Sequence, residues 1–349
     1  MTPNRTLDLS RVVGFSLAGL LALGVQGGVF AAPAAEAVAD AETMAHENWR
    51  AFMSQNVASG EGCFHADYPS FVWEKMDCKV AQPRVHPIRR VPGTGPAADV
   101  TGNGNDYVAQ ATGLITRTLG TFPNVTGVKT EKSVGVAAFG GGGILGPNEY
   151  TLQINTNFTG TTAACAGHSG CTVWQQFIYS PDYQVNGQAA VFMQYWLIGW
   201  GSSACPSGWM SAGGGDCFRN SAIATAPDMP ITSLAKLTLS GAVVAGGNDT
   251  VVFNNGTQAY SITGKDSVVD ISSVWTQSEF NVVGNAGGSR AQFNKGSSVT
   301  VKVALTDGST AAPRCVANAG STGESNNLNL GSCTTAGGTT PSIQFTESN

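Results

Sequence analysis

Charge is what this chain has least of. Only 12% of its 349 residues are Asp, Glu, Lys or Arg, about half the usual globular share. Histidine is scarcer still, with four in the whole chain. His46, His65 and His86 fall in the N-terminal region, and His168 stands alone between Cys165 and Cys171. No G-x-S-x-G occurs, so a Ser-His-Asp or Cys-His hydrolase fits poorly. No C-x-x-C occurs either, and no metal or other cofactor is expected. The glycine run Gly140–Gly143 lacks the Lys-Ser/Thr of a phosphate loop and reads as a connection between strands. With a net charge of −5 and a pI near 5.3 there is no basic footprint for nucleic acid. The most apolar run, Val12 to Val25, is short and interrupted by Gly, which disfavours a membrane span.

That run has another reading. Arg5 and Arg11 precede it and small residues follow at Val29-Phe30-Ala31-Ala32. This is the charged, apolar and small-residue order of a secretory signal peptide, here residues 1–31, and no membrane association is expected once it is removed. The cysteines agree with export. There are eight, Cys63, Cys78, Cys165, Cys171, Cys205, Cys217, Cys315 and Cys333, and none lies in the signal segment. Pairing in sequence order (63–78, 165–171, 205–217, 315–333) is the simplest arrangement, each bridge tying off one loop. Oxidised cysteines are also lost as nucleophiles. The expected location is secreted or extracellular, or periplasmic.

With 45 Gly and 42% hydrophobic residues the chain can bury a large core through many turns. Ala41–Val57 predicts a helix with Met44, Trp49, Phe52 and Met53 as its apolar positions. Val80 to Pro96 is rich in Pro and Arg and reads as an extended linker, so residues 32–98 form an N-terminal segment, either a propeptide or a strap on the main domain. Residues 99–349 hold short runs rich in Val, Ile, Thr and aromatics between Gly/Asn/Asp turns. The predicted strands are 107–116, 133–139, 149–157, 172–180, 189–200, 234–244, 250–253, 259–263, 268–271, 278–283, 290–294 and 298–305. Without helices between them, a parallel α/β fold is disfavoured. The expected fold is all-β, a two-sheet antiparallel β-sandwich of jelly-roll or concanavalin-like type.

Chemistry is left to carboxylates and amides. Period-2 alternation puts Glu279 on one face with Gln277 and Asn281, and Ser278 and Phe280 on the other. A carboxylate on a polar sheet face can exchange protons with water, though a solvated strand residue would look the same. Gln175 and Gln176 are adjacent, so only one of them faces a cleft. Gln194 follows on the next run, sharing its face with Phe192 and Trp196. A neutral amide can donate to a developing oxyanion, or it can simply bond across strands. Trp174, Tyr195, Trp196 and Trp275 surround these residues as candidate substrate contacts.

The order VWQQF, FMQYW, then SEFNVVGNAGGSRAQFNKGSSVTVKV resembles the glutamic peptidases of the eqolisin family, and more distantly the neprosin-type glutamic peptidases. In eqolisins a Gln strand precedes a W-Y-E-W-Y strand and an A-E-W-I-V-E strand. The resemblance implies a β-sandwich in which Glu279 activates water for attack on a peptide bond. Gln175, by direct match, or Gln176, by a register shift of one, would stabilise the intermediate at acidic pH. Gln194 stands where the family has Glu, and Val283 aligns with the second Glu of A-E-W-I-V-E. The partner is then a polypeptide substrate. Two other readings stay open: a carbohydrate-binding, lectin-like sandwich whose aromatics stack on a glycan, and a structural envelope or surface protein.

Overall fold

A computed structural model describes residues 32–86, 107–137, 141–202, 204–317 and 323–349, with side chains from residue 40 onward. The expected signal segment, residues 1–31, and most of the expected Pro/Arg linker lie outside the described residues. Residues 43–349 form one compact unit.

The N-terminal helix runs over Ala32–Gln55. It seats one narrow stripe, Trp49 and Met53, one turn apart, against Ala66 and Ala259. Trp49 donates its indole N–H to the Ser70 carbonyl at 2.6 Å. Met44 and Phe52 are largely exposed rather than packed inward; Phe52 meets Phe71 edge-on at the surface.

Two large antiparallel sheets make the sandwich. In the first, the strands run Glu74–Met76, Gly62–Asp67, Gln258–Lys265, Asn248–Asn254, Thr238–Ala242, Arg117–Thr126, Ser298–Thr306, Ser342–Ser348 and Asn329–Ala336 in spatial order. In the second the order is Met210–Gly213, Asp216–Asn220, Gln188–Ile198, Thr172–Val185, Tyr150–Thr156, Gln277–Gly284, Tyr107–Gln110 and Arg314–Ala317, with Ala224–Pro227 also pairing Gln188–Ile198. A small third sheet joins Ser289–Phe293 and Glu131–Gly135 to two short strands. The all-β sandwich expectation holds. All four disulfides pair in sequence order, and no described cysteine is free. Among the described residues no helix is long and apolar enough to cross a membrane.

Three local expectations need correction. Residues 268–271 form 3-10 turns, not a strand, because Asp270 sits in the left-handed region at φ 54°. Residues 231–236 are likewise a 3-10 turn that leads into Thr238–Ala242. Arg117–Thr126, central to the first sheet, is a strand that the sequence pattern does not predict. Its inward positions are Thr118, Gly120 and Phe122, of which only Phe122 is apolar and large. The reason is the ring of Phe280 in the opposite sheet: a Cβ on Gly120 would lie 2.2 Å from it. Gly241 makes the same room for Phe177, at 2.5 Å.

Gly120→Ala therefore has no free space to enter. Overpacking of this kind costs about 1–3 kcal/mol. The variant is expected to show a lower Tm than wild type by circular dichroism, with no change in disulfide content. An unchanged melting curve would mean that Phe280 does not hold this position.

Candidate functional site

The second sheet has two chemically different faces. One meets the first sheet and carries Ile154, Phe177, Met193 and Phe280, all buried in the main core. The other carries a row of polar residues set by register. Glu279 pairs with Asn155, Asn155 with Gln176, Gln176 with Gln194, and Gln194 with Asn220. Directly opposed residues of neighbouring strands share a face, so five strands contribute one side chain each to a single line.

The row is joined by hydrogen bonds. Asn155 Nδ2 donates to Glu279 Oε2 at 2.9 Å. Gln176 Nε2 donates to Asn155 Oδ1 at 3.0 Å and to Gln153 Oε1 at 3.2 Å. Trp196 Nε1 donates to Gln176 Oε1 at 3.0 Å and is shared with Gln194 Oε1 at 3.1 Å. Gln194 Nε2 donates to Asn220 Oδ1 at 2.6 Å. Glu279 is 1% exposed and Gln176 and Gln194 are 0% exposed, so each polar atom depends on a protein partner. Glu279 and Gln176 stand two strands apart, a backbone spacing of roughly 10 Å, and Asn155 bridges the gap.

Part of the cover over this row is the N-terminal segment itself. Gln194 holds its backbone in two places, accepting the His86 N–H at 2.9 Å and donating to the Arg84 carbonyl at 3.0 Å. Asn220 Nδ2 donates to the Gln82 and Arg84 carbonyls, and the Tyr183 hydroxyl lies 3.0 Å and 2.8 Å from the same two oxygens. Val85 packs against an aromatic cluster of Phe158, Trp174, Trp196 and Phe218. His86 is fully buried, with Nδ1 3.1 Å from Glu324 Oε1 and 3.0 Å from Gln153 Nε2. Burial pushes the Glu324 carboxyl up, against the pull of its bond to His86.

The expected site residues therefore divide. Glu279, Gln176, Gln194, Trp174 and Trp196 share the polar face. Gln175, the direct match to the peptidase glutamine, lies on the core face. Its Nε2 donates to Asp249 Oδ2 of the first sheet at 2.9 Å. Tyr195 is its cross-strand partner and points the same way. Trp275 is buried in the core against Phe177, its N–H on the Gln277 carbonyl. Trp174 and Trp196 keep their rings beneath the covering segment and offer no open face for a sugar. His168 stacks on Trp200, and its neighbours Cys165 and Cys171 are bridged, so they are not thiolate ligands. A groove of about 720 Å³ lies elsewhere, lined by Glu61, Tyr195, Arg219 and Lys265 among others. Sequence reasoning misses Gln153, Asn155, Asn220 and Glu324. Tyr150–Thr156 alternates Thr151, Gln153 and Asn155 with apolar residues, and that polar period is the signal that could have found the first two.

No protein-family model matches this chain, and no curated protein does. Among solved structures there is a match to a crystal structure of scytalido-glutamic peptidase with a transition state analog inhibitor. It is 10% identical and covers 68% of this chain and 96% of that one, with a TM-score of 0.25. A TM-score that low does not bear on the fold or on the site.

Several carboxyls in this unit are held protonated well above their ordinary range. Burial, opposed by the Gln175 bond, pushes Asp249 up to about 8. Burial and a hydrogen bond with Asp182 push Glu149 to about 8 and Asp228 to about 7. In the unfolded chain these groups ionise near pH 4. Above that pH the folded state binds more protons than the unfolded state, so stability falls as pH rises toward about 8. Thermal melts between pH 4 and 8 are expected to show Tm falling with pH, and Asp249→Asn to flatten the slope. A Tm that rises over that range would contradict the burial of these acids.

Proposed function

We propose that this chain is a secreted glutamic peptidase-like hydrolase acting on extended polypeptides. The observation that carries the reading is the Gln194 side chain. It pairs with the backbone of the covering segment at two alternate residues, Arg84 and His86, beside the line Gln176–Asn155–Glu279. A side-chain amide that accepts one peptide N–H and donates to one peptide carbonyl mimics a neighbouring strand. It recognises a polypeptide by its backbone.

In this reading Glu279 takes a proton from water as the water attacks the peptide carbonyl, then returns it to the leaving amine. Gln176 supplies the amide donor for the oxyanion. Its two N–H bonds now go to Gln153 and Asn155, so one must turn toward the substrate during reaction. Asn155 positions both groups. Gln175 has no part in this step, because it faces Asp249 across the core. Carboxyls that burial holds protonated suit an acidic optimum, and the four disulfides suit an oxidising extracellular setting.

The test is cleavage of casein or denatured globin from pH 2 to 7. It uses the wild-type chain and a chain carrying Val85→Asp and His86→Asp to unseat the covering segment. Cleavage is expected at the acidic end. Glu279→Gln is expected to lower it by about 10²–10⁴ and Gln176→Ala by about 10²–10³. Gln175→Ala is expected to lower Tm rather than the turnover of the folded fraction. No cleavage by either chain, or equal cleavage after Glu279→Gln, rejects the peptidase reading.

A further inference from the structure

The covering segment also reflects what the cleft accepts. Its Val85 and His86 side chains each enter a separate, chemically distinct cell. Val85 meets Phe158, Trp174, Trp196 and Phe218, an aromatic wall suited to an aliphatic side chain. His86 enters a cell floored by Gln153 and walled by Glu324, both fully or almost fully buried. A buried carboxyl with an amide beside it can pair with an imidazole or a cation, whereas a second acid there would bury two carboxyls with no countercharge. Among the described residues, Trp174 Nε1 in the aromatic cell and His86 Nε2 in the polar one find no partner. Outside the segment, Pro83, Arg84 and Val85 form one wall of a cavity of about 530 Å³ whose other wall is Gly143, Ile144, Ala286 and Gly287. The segment thus lines this cavity with one side and fills the two cells with the other.

We propose that the two cells, once the segment is unseated, form a cleft that recognises polypeptides bearing an aliphatic residue followed by an imidazole or cationic one. Arg84-Val85-His86 fills it in cis as a resident ligand. Glu324 and Gln153 select the second side chain, the aromatic cluster selects the first, and Gln194 with Asn220 holds the backbone between them. This rests on the polypeptide-binding half of the proposed function and not on its chemistry. The resident segment occludes the site, so a free peptide meets a cleft whose competent fraction is small.

A fluorescein-labelled peptide with the sequence of residues 80–86 is the probe, read by anisotropy on the full chain. Wild type is expected to bind it weakly. The Val85→Asp, His86→Asp chain, which puts a charge in the aromatic cell and an acid against Glu324, is expected to bind roughly tenfold tighter or better. Adding Gln194→Leu is expected to abolish that binding, and a probe carrying His86→Glu is expected to lose most of it. If the double variant fails to fold, excess probe is added to wild type and hydrogen exchange at the His86 amide is followed; faster exchange with probe than without is expected, and no change overturns the proposal. The His86 amide is expected to be protected, and Gln194→Leu to release it. A probe that does not bind the opened chain, that tolerates Glu in the second cell, or that ignores Gln194→Leu overturns the proposal. Selective binding without hydrolysis leaves it standing and removes only the peptidase reading; hydrolysis with no preference for this pair does the reverse.

Discussion

A buried amide has to find partners. That requirement organises the polar face of the second sheet. Glu279, Asn155, Gln176, Gln194 and Asn220 are brought into line by strand register, and all but the half-buried Asn220 are removed from water. Leaving such groups unpaired would cost about 1–3 kcal/mol apiece. They bond along the row, and at its Gln194 end they bond to the backbone of residues 82–86. The position of the N-terminal segment and the order of the row are therefore one solution to one constraint.

The same sheet keeps a second polar element on its other side. Gln175 reaches Asp249 through the sandwich interior, and Asp249 holds its proton to about pH 8. The adjacent glutamines have opposite surroundings. Gln176 belongs to a continuous line that ends on a carboxylate, while Gln175 ties the two sheets together. A shift of one residue in register would exchange these roles. The dense apolar packing behind them resists such a shift, with Phe280 over Gly120 and Phe177 over Gly241.

Much of the fold is legible in the sequence. The Gln/aromatic runs 172–180 and 189–200 and the Ser278–Val283 run all alternate or stay apolar over strand lengths, and all three are strands of the second sheet. The cysteine spacing makes the four bridges legible. Arg117–Thr126 is not legible because its inward positions include Thr118 and Gly120, small residues chosen by a ring from the opposite sheet. In the site, the aromatic runs point to Trp275 and Tyr195, which have the composition of a cleft but face the core. Asn155 and Asn220, on less aromatic strands, carry no such flag.

By itself the sequence determined a disulfide-bonded β-sandwich poor in charge, because strand period, turn residues and cysteine spacing are local properties. It also narrowed the chemistry to a glutamate and a few glutamines, by leaving few other reactive groups in the strands. Which glutamine stands with Glu279 was decided only by tertiary structure. So was the capture of residues 84–86 by Gln194, more than a hundred residues away. Both depend on register between strands and on which face packs against the other sheet, and no local pattern encodes either.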